Sequence, residues 1–357
     1  MYNDIKYYKK HHKIDQAINQ YNFKKIWKKK CSKYNKSQLH RLPAVPRIIV
    51  IGDIHGDFDI LIQMLKIAKL IDADYNWIGN NTIVVQLGDQ IDRCRYEYIP
   101  CSHKEATQPD EGNDWKILQF LTKLHHKAQQ SGGAIFSLLG NHELMNVDQD
   151  LSYVSYEGLR EFDNLITPYG IIKDGTDARK WAFKKGNMIS EFLACTRQVA
   201  LIIGSNLFVH GGILPDIAKK YKIKNINKLM TLYLLDKLKD EDIQNYKDIV
   251  QPTIVSPLWT RTFANITNES DCNNVLVPLK TIYNVDRIFV GHTPMLNTGP
   301  KSICNEKIWL ADYGASTVFN KFDTNIHQVS DLNYRSNVRK ANVLEILNDG
   351  EKINILY

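Results

Sequence analysis

Short apolar runs that end in glycine or polar residues recur along the chain and predict a fold built on β-sheets. These runs are rich in β-branched residues, as buried strands are, and they span residues 47–51, 83–87, 134–139, 206–209 and 287–290. Between them, apolar residues at helical spacing predict amphipathic crossover helices over 58–70 and 115–130. Alternating strands and helices indicate an α/β protein that holds its ligands at the carboxyl ends of its strands.

Turn signals add two hairpins to this plan. One lies over residues 198–209, around Gly204 and Ser205, and the other closes the chain around Asn348, Asp349 and Gly350. We therefore expect a division of the chain into a basic N-terminal extension, a catalytic domain with an insertion at the rim of its site, and a C-terminal β-hairpin that completes the domain. These segments cover residues 1–42, 43–325 with the insertion at 94–113, and 326–357.

The predicted strands end in residues that can bind metal ions: Asp53, His55, Asp89, Asn141, His210 and His292. A combination of carboxylate oxygens and imidazole nitrogens suits Mn, Fe or Zn better than Mg or Ca. The set is large enough for two divalent ions that share Asp89. Two such ions about 3.5 to 4 Å apart activate a water molecule between them for in-line attack on phosphorus.

Three further residues fit the same chemistry. His142 follows Asn141 directly and is the candidate general acid, because an imidazole titrates near neutrality. Asp92 is expected to hold its ring. Arg93 has the forked guanidinium that grips phosphate, and Asn141 is expected to contact the phosphoryl group as well. Arg261 is either a second phosphate clamp or a salt-bridged arginine, and its sequence context does not distinguish the two.

The distribution of charge adds information mainly about the N-terminal segment. The 357 residues carry a formal charge of +7, and basic residues concentrate in residues 1–42. That segment is either an electrostatic tether to an acidic partner or anionic surface, or a solvated extension. No nucleic-acid-binding signature accompanies it, so we do not expect a nucleic-acid partner.

The six cysteines indicate a reducing compartment. They show no CxxC or other paired spacing, so a disulfide framework has no support, although Cys94 and Cys101 are open to a redox or metal-binding role. No apolar run approaches the roughly 20 residues that span a bilayer, and residues 1–6 lack the apolar core of a secretory signal. We therefore expect an intracellular and most simply cytoplasmic protein.

The motifs together resemble the calcineurin-like metallophosphoesterases. The segments Gly88–Arg93 (GDQIDR) and Gly140–Glu143 (GNHE) are similar to the phosphoprotein phosphatase branch. Within that branch, the segments QLGD, LMNV, FVHGG, SPLW and VGHTP look most like the Shewanella-like protein phosphatases. The resemblance runs from about residue 46 to 320. It implies a four-layer α/β/β/α metallophosphoesterase sandwich with a dinuclear metal centre.

The resemblance further implies a hydrolase of phosphate monoesters. In this scheme hydroxide bound between two divalent ions, with Mn favoured over Fe and Zn, attacks the phosphorus of a phosphoprotein or phosphopeptide. The chain departs from the family where Cys94 replaces the usual glycine after the motif arginine. Phosphotyrosine and phosphoserine or phosphothreonine therefore both stay open as substrates. The alternative function is a nucleotide phosphohydrolase that cleaves dinucleoside polyphosphates.

Overall fold

The structure is a computed structural model that describes residues 14–34, 38–95, 98–327 and 335–357. Its strands are β1 Arg41–Leu42, β2 Arg47–Ile51, β3 Ile83–Gln86, β4 Ala134–Ser137, β5 Leu165–Thr167, β6 Gly170–Ile172, β7 Ala200–Ile203, β8 Asn206–Val209, β9 Arg287–Val290, β10 Lys301–Ile303, β11 Ile308–Leu310, β12 Val343–Leu347 and β13 Lys352–Leu356. Its α-helices include Phe23–Lys30, Phe58–Ile67, Asp114–Gln129, Asn141–Val147, Tyr156–Arg160, Gly175–Phe183, Met188–Thr196, Pro215–Lys220, Ile223–Leu234, Asp240–Asn245, Lys247–Val250, Glu269–Tyr283 and Asn320–His327. The crossover helices predicted over 58–70 and 115–130 are confirmed.

Two mixed sheets form the centre of the molecule. The first has the strand order β13-β12-β2-β3-β4 and the second β1-β7-β8-β9-β11-β10. Strands β2, β3 and β4 run parallel, and so do β8 and β9. The loops that carry Asp53, Asp89 and Asn141 therefore leave the first sheet at one end, and those that carry His210 and His292 leave the second sheet together.

The layers follow from which side chains each strand turns inward. Val50 and Val85 of the first sheet share a core with Phe208 and Phe289 of the second. The alternate side chains of the first sheet pack on the helices Phe58–Ile67 and Asp114–Gln129. Those of the second sheet pack on a larger helical layer drawn mainly from residues 175–283. The predicted four-layer α/β/β/α sandwich is confirmed.

Both predicted hairpins are present. β7 and β8 pair antiparallel, with Ala200 opposite Val209. β12 and β13 also pair antiparallel, and β12 continues the first sheet alongside β2. The C-terminal residues thus cover what would otherwise be an open edge of β2, which is a position where an unpaired strand invites aggregation.

The N-terminal region differs from the solvated extension that its charge suggested. Ile18 and Trp27 are buried at 1% and 7% exposure, and β1 pairs parallel with β7. In the helix Phe23–Lys30, helical periodicity places the apolar residues on one face and most lysines on the opposite face. The apolar face packs on the domain, and those lysines are exposed. The described part of residues 1–42 therefore belongs to the folded body, and residues 1–13 and 35–37 lie outside the described residues.

The cysteines correct a second expectation. All six are paired, as Cys31–Cys195, Cys94–Cys101 and Cys272–Cys304. Sequence spacing missed the pairs because a bridge requires two Cα atoms within about 7 Å, and only the fold brings together residues 164 or 32 positions apart. The expectation of a reducing compartment rested on unpaired cysteines and loses that support. Among the described residues, no helix has both the length and the apolar character needed to cross a bilayer.

Candidate metal centre

The predicted ligands meet at the carboxyl ends of the two sheets, where the backbone is unusually strained. His55, Asp89, Asp92 and His292 all have positive φ angles, between 47° and 71°. Non-glycine residues adopt this conformation at a cost of about 1–3 kcal/mol each, and such residues cluster at functional sites. All four residues lie in the loops that follow β2, β3 and β9.

Asp89 lies at the centre of the group. Its Oδ2 is 3.8 Å from His55 Nε2 on one side and 3.3 Å from His210 Nε2 on the other. Two sets of potential ligand atoms within 4.8 Å of one another share Asp89, namely His55, Asp89 and His142, and Asp89, His210 and His292. This geometry is what a carboxylate that bridges two cations requires.

The remaining predicted ligands, Asp53 and Asn141, lie beside the two sets of ligand atoms that share Asp89. Asp53 Oδ2 is 3.9 Å from His55 Nε2 and accepts the backbone N–H of His292. Asn141 Oδ1 is 2.9 Å from His210 Nε2. Asp53 can lie this close to the loop that carries His292 only because residue 291 is glycine. A Cβ on Gly291 would lie 2.3 Å from Asp53 Oδ1. The structure therefore brings all six predicted ligands together.

Backbone carbonyls orient the histidine rings. His210 Nδ1 donates to the Leu87 carbonyl at 2.8 Å, and His55 Nδ1 lies 3.3 Å from the Ile91 carbonyl. His292 Nε2 donates to the Trp259 carbonyl at 3.1 Å. In a neutral imidazole, a ring nitrogen that donates in this way leaves the opposite nitrogen unprotonated, and this is the usual support for a histidine that binds metal.

Several buried charges oppose one another in the same space. Burial and the charges of Asp312 and Asp89 raise the pKa of Asp53 well above its usual value. Burial and the charge of Asp89 raise the pKa of Glu143 to about 7. Burial and His210 lower the pKa of His292 to about 3. These shifts push Asp53 and Glu143 toward their neutral forms, whereas His210 and His142 hold the pKa of Asp89 well below its usual value despite its burial. His292 is held in the neutral form that binds metal.

These observations fit a pair of divalent cations. Asp53 Oδ1 is buried without a hydrogen-bond partner, and a buried polar atom is normally satisfied. His210 Nε2 faces two oxygens, on Asn141 and Asp89, and its Nδ1 donates to the Leu87 carbonyl. Burial lowers the pKa of His210, but the charge of Asp89 raises it more. Cations between these atoms would supply partners for all of them. The residues that would hold such ions are Asp53, His55, Asp89, Asn141, His210 and His292.

His142 and Asp92 form a separate pair beside this centre. His142 Nδ1 donates to Asp92 Oδ2 at 2.8 Å, and its backbone N–H donates to Asp89 Oδ1 at 3.0 Å. Its Nε2 is 3.9 Å from Asp89 Oδ2 and so faces the centre. Although His142 lies within metal-binding distance, Asp92 fixes its ring in the orientation that a proton donor needs.

Sequence reasoning missed the residues that support this pair. Asn146 Nδ2 donates to Asp92 Oδ1 at 2.9 Å, and Arg179 Nη2 is 3.3 Å from the same oxygen. Arg179 also forms a fully buried ion pair with Asp114 at 2.8 Å. Asn146 was visible in the motif LMNV, whereas Arg179 and Asp114 follow no recognisable motif.

Glu143 joins the two motif loops. Its carboxylate accepts the backbone N–H groups of Gly140, Asp89 and Gln90 at 2.7, 3.0 and 2.7 Å. A Cβ on Gly140 would lie 2.1 Å from Asp89 Oδ1. The glycine and the glutamate of the GNHE motif therefore hold the GDQIDR loop in register with it.

The predicted phosphate ligands occupy different environments. Arg93 is 2% exposed and pairs with Asp57, with Glu111 and with the Ser316 hydroxyl. Arg261 is exposed, and its Nη1 donates to the His292 carbonyl at 2.6 Å. Arg261 thus lies at the rim beside a ligand histidine without a carboxylate partner among the described residues. The phosphate-binding roles of both arginines, and that of Asn141, stay predictions.

Comparisons with known proteins agree with this geometry. Residues 46–296 match the family model described as calcineurin-like phosphoesterase. The Shewanella-like protein phosphatase 2 of Arabidopsis thaliana is 30% identical over 326 residues, which cover 80% of this chain and 75% of the plant protein. An uncharacterized protein of Acanthamoeba polyphaga mimivirus is 36% identical over 227 residues, or 57% of this chain and 90% of the viral protein.

A solved structure shares the fold. The cold-active protein-tyrosine phosphatase of a psychrophilic Shewanella species superimposes with a TM-score of 0.62 at 20% sequence identity. The superposition covers 91% of this chain and 85% of that protein. At this level of identity the likeness concerns the fold alone.

Proposed function

The chain belongs to the calcineurin-like phosphoesterase family, and on that premise we propose that it is a metal-dependent protein phosphatase that hydrolyses phosphate monoesters of tyrosine, serine or threonine side chains. The observation that carries the proposal is the position of Asp89 between His55 and His210, with the His142–Asp92 pair alongside. The plant relative, a Shewanella-like protein phosphatase, supports the substrate class.

Two divalent cations in such a site supply Lewis-acid stabilisation of the phosphoryl charge and generate the nucleophile at neutral pH. The mixed carboxylate, amide and imidazole donors favour Mn, Fe or Zn, and we propose Mn. Asp53 and His55 would hold one ion, Asn141, His210 and His292 the other, and Asp89 both. These residues also exclude bulk water, because each of the six side chains is at most 5% exposed.

The remaining steps belong to the protein's own groups. His142 would deliver a proton from Nε2 to the leaving oxygen of the alcohol or phenol, because its Nδ1 proton is committed to Asp92. Asp92 stabilises the charged imidazolium and is itself held by Asn146 and Arg179. Arg261 stands at the rim, where an incoming phosphate oxygen would meet its guanidinium.

Turnover of matched substrates by Mn-reconstituted protein tests this proposal. The panel is a phosphotyrosine peptide, the same peptide with phosphothreonine, and a dinucleoside tetraphosphate. We expect hydrolysis of at least one peptide with a kcat/KM at least tenfold above that for the nucleotide. Turnover of the nucleotide alone would contradict the assignment to protein substrates while leaving the metal-dependent hydrolase in place. A protein that cleaves none of the three would contradict both.

A further inference from the structure

The helix Phe23–Lys30 presents four lysines to solvent. They lie on its outer face at helical spacing and are Lys24, Lys25, Lys28 and Lys29. On the opposite face, Phe23, Ile26 and Trp27 pack against apolar cores of the protein. The apolar side of this helix is thus used by the fold, and its outward side carries positive charge.

Contacts before and after this helix hold it along a second helix, Ile223–Leu234. On the N-terminal side, the Asp15 carboxylate pairs with Lys222 Nζ at 3.1 Å. On the C-terminal side, Gln38 Nε2 donates to Thr231 Oγ1 at 2.8 Å. The basic segment is therefore fixed to the folded body at both ends, and its lysines have a defined place beside those of the second helix.

The second helix adds its own lysines to the same region. Lys228 Nζ lies 5.3 Å from the centre of the Phe23 ring. Burial and the charges of Lys224 and Lys24 lower the pKa of Lys228 and outweigh the opposing charge of Asp15. Positive groups from the two helices therefore lie close enough to repel one another.

The acids close to these lysines are already engaged. Asp15 pairs with Lys222, and Glu191 pairs with Lys30 at 2.7 Å and with Lys33 at 3.2 Å. Five exposed lysines of the two helices have no carboxylate within ion-pair distance among the residues that the structure describes. We call them the lysine surface, and they are Lys24, Lys25, Lys28, Lys29 and Lys224. A group of cations without fixed counter-charges attracts anions from outside the chain.

The chemistry of the lysine surface favours a lipid bilayer over a partner of fixed shape. Lysine is a hydrated point charge and lacks the fork with which arginine recognises a single phosphate or carboxylate. Protein interfaces are depleted of lysine and rely on aromatic or arginine anchors, and single-stranded nucleic acid stacks on exposed aromatic rings. The rings of Phe23 and Trp27 pack inward instead. Diffuse attraction to many lipid headgroups requires neither kind of anchor.

We infer that the lysine surface docks the protein on membranes that contain anionic lipids, through a peripheral and salt-sensitive contact. This inference goes beyond the proposed function and does not depend on the metal centre. Clusters of about four to eight basic residues on a helix are typical of surfaces that bind anionic lipids. Each lysine close to such a membrane contributes a factor of about five to the affinity.

Sedimentation of the full chain with lipid vesicles tests this inference. One set of vesicles is phosphatidylcholine alone, and the other contains about one-third phosphatidylserine. We expect binding to the anionic vesicles in about 0.1 M salt, binding at least about tenfold weaker in about 0.5 M salt, and no binding to the neutral vesicles. The variant K24Q/K25Q/K28Q/K29Q should bind the anionic vesicles about 30-fold more weakly or worse, and K224Q about two- to fivefold more weakly.

The matched control is K173Q/K180Q/K307Q/K352Q, which removes the same charge from exposed lysines on other elements. It should bind like the parent, and every variant should keep the melting temperature of the parent. Equal losses in the two quadruple variants would mean that only net charge matters and would overturn the inference. Parent-like binding by K224Q would overturn the part that the second helix plays.

The unaltered protein provides a test that does not depend on any variant. Equal binding to the neutral and anionic vesicles, or no binding to either, would contradict the inference. Binding to a single-stranded oligonucleotide or to polyglutamate, without binding to the anionic vesicles, would also overturn it, because the lysine surface would then serve a nucleic acid or an acidic protein.

Discussion

At the scale of single residues, backbone conformation decides which side chains meet. His55, Asp89, Asp92 and His292 hold left-handed φ angles that residues with a Cβ rarely adopt. Glycine at positions 140 and 291 leaves room for the carboxylates of Asp89 and Asp53. The motif residues indicate the chemistry of each position, and the fold brings these distant parts of the chain together.

The role of His142 gives a prediction at this scale. H142N preserves a hydrogen-bonding group near Asp92 but removes the titrating nitrogen that faces the centre. We expect kcat for an aryl phosphate to fall by about 100-fold or more, with an unchanged melting temperature and Mn content. Steady-state kinetics with metal analysis measure the effect.

The matched control is H126N, which makes the same chemical change at an exposed histidine of the helix Asp114–Gln129. It should retain the kcat of the parent. An H142N protein as active as H126N would show that His142 is not the general acid.

At the scale of elements, disulfides connect segments whose contact local pattern cannot reveal. Cys31 ties the end of the basic helix Phe23–Lys30 to Cys195 in the helix Met188–Thr196, 164 residues away. The neighbouring apolar contacts are few, since only Trp27 of that basic helix is buried. The bridge adds to the packing of Phe23 and Ile26 against the core and to the ion pair between Lys30 and Glu191.

Loop length predicts how much each bridge stabilises the fold. In the chain-entropy picture the loss on removing a bridge grows with the logarithm of the loop it closes. C31S/C195S opens a separation of 164 residues and C272S/C304S one of 32, so the first pair should cost about 1.5 kcal/mol more. Urea unfolding of the oxidised proteins measures both losses.

Equal losses for the two double variants would contradict the entropic account. A direct control comes from the parent: thiol titration of the urea-unfolded, unreduced protein should find no free cysteine, because all six are paired. Six titratable thiols would mean that the purified protein does not contain these bridges.

At the scale of the whole molecule, the metal centre lies where the two sheets meet, so it links their stabilities. Asp53 and Asp89 leave the first sheet, and His210 and His292 leave the second. The acids there are buried close to one another, and burial and neighbouring acids, Asp89 among them, raise the pKa values of Asp53, Glu143 and Asp312. Cations that relieve this repulsion should hold the sheets together as well as support catalysis.

Removal of metal should therefore destabilise the protein. For each bound ion, a concentration 1,000-fold above its dissociation constant stabilises the folded state by about 4 kcal/mol. We expect treatment with a chelator to lower the melting temperature in scanning calorimetry, and Mn to restore it.

D53N provides the control for charge. Without metal it should be at least as stable as the metal-free parent, because it removes one of the buried acids that oppose each other. It should also gain less from Mn, since one ligand is weakened. A D53N protein that is less stable than the parent without metal and equally stabilised by Mn would contradict this view of the centre.

The sequence by itself determined the strands, the crossover helices and the chemistry of the strand ends. Apolar runs at the β and helical periods are local patterns, so they can be recognised without knowledge of the packing. The same is true of a buried strand that ends in Gly-Asp or Gly-Asn. The sequence therefore predicted a candidate ligand set, namely Asp53, His55, Asp89, Asn141, His210 and His292. The location of the basic segment and the state of the cysteines were not.

Only the tertiary structure decided which charged groups pair. Arg93 and Arg95 are close in sequence and alike in chemistry, yet one is tied to Asp57 and Glu111 while the other reaches His55. The sequence also does not indicate that Cys31 and Cys195 form a disulfide. Ion pairs and disulfides depend on distances of a few ångströms between residues far apart in the chain, and only the packing of the layers sets those distances.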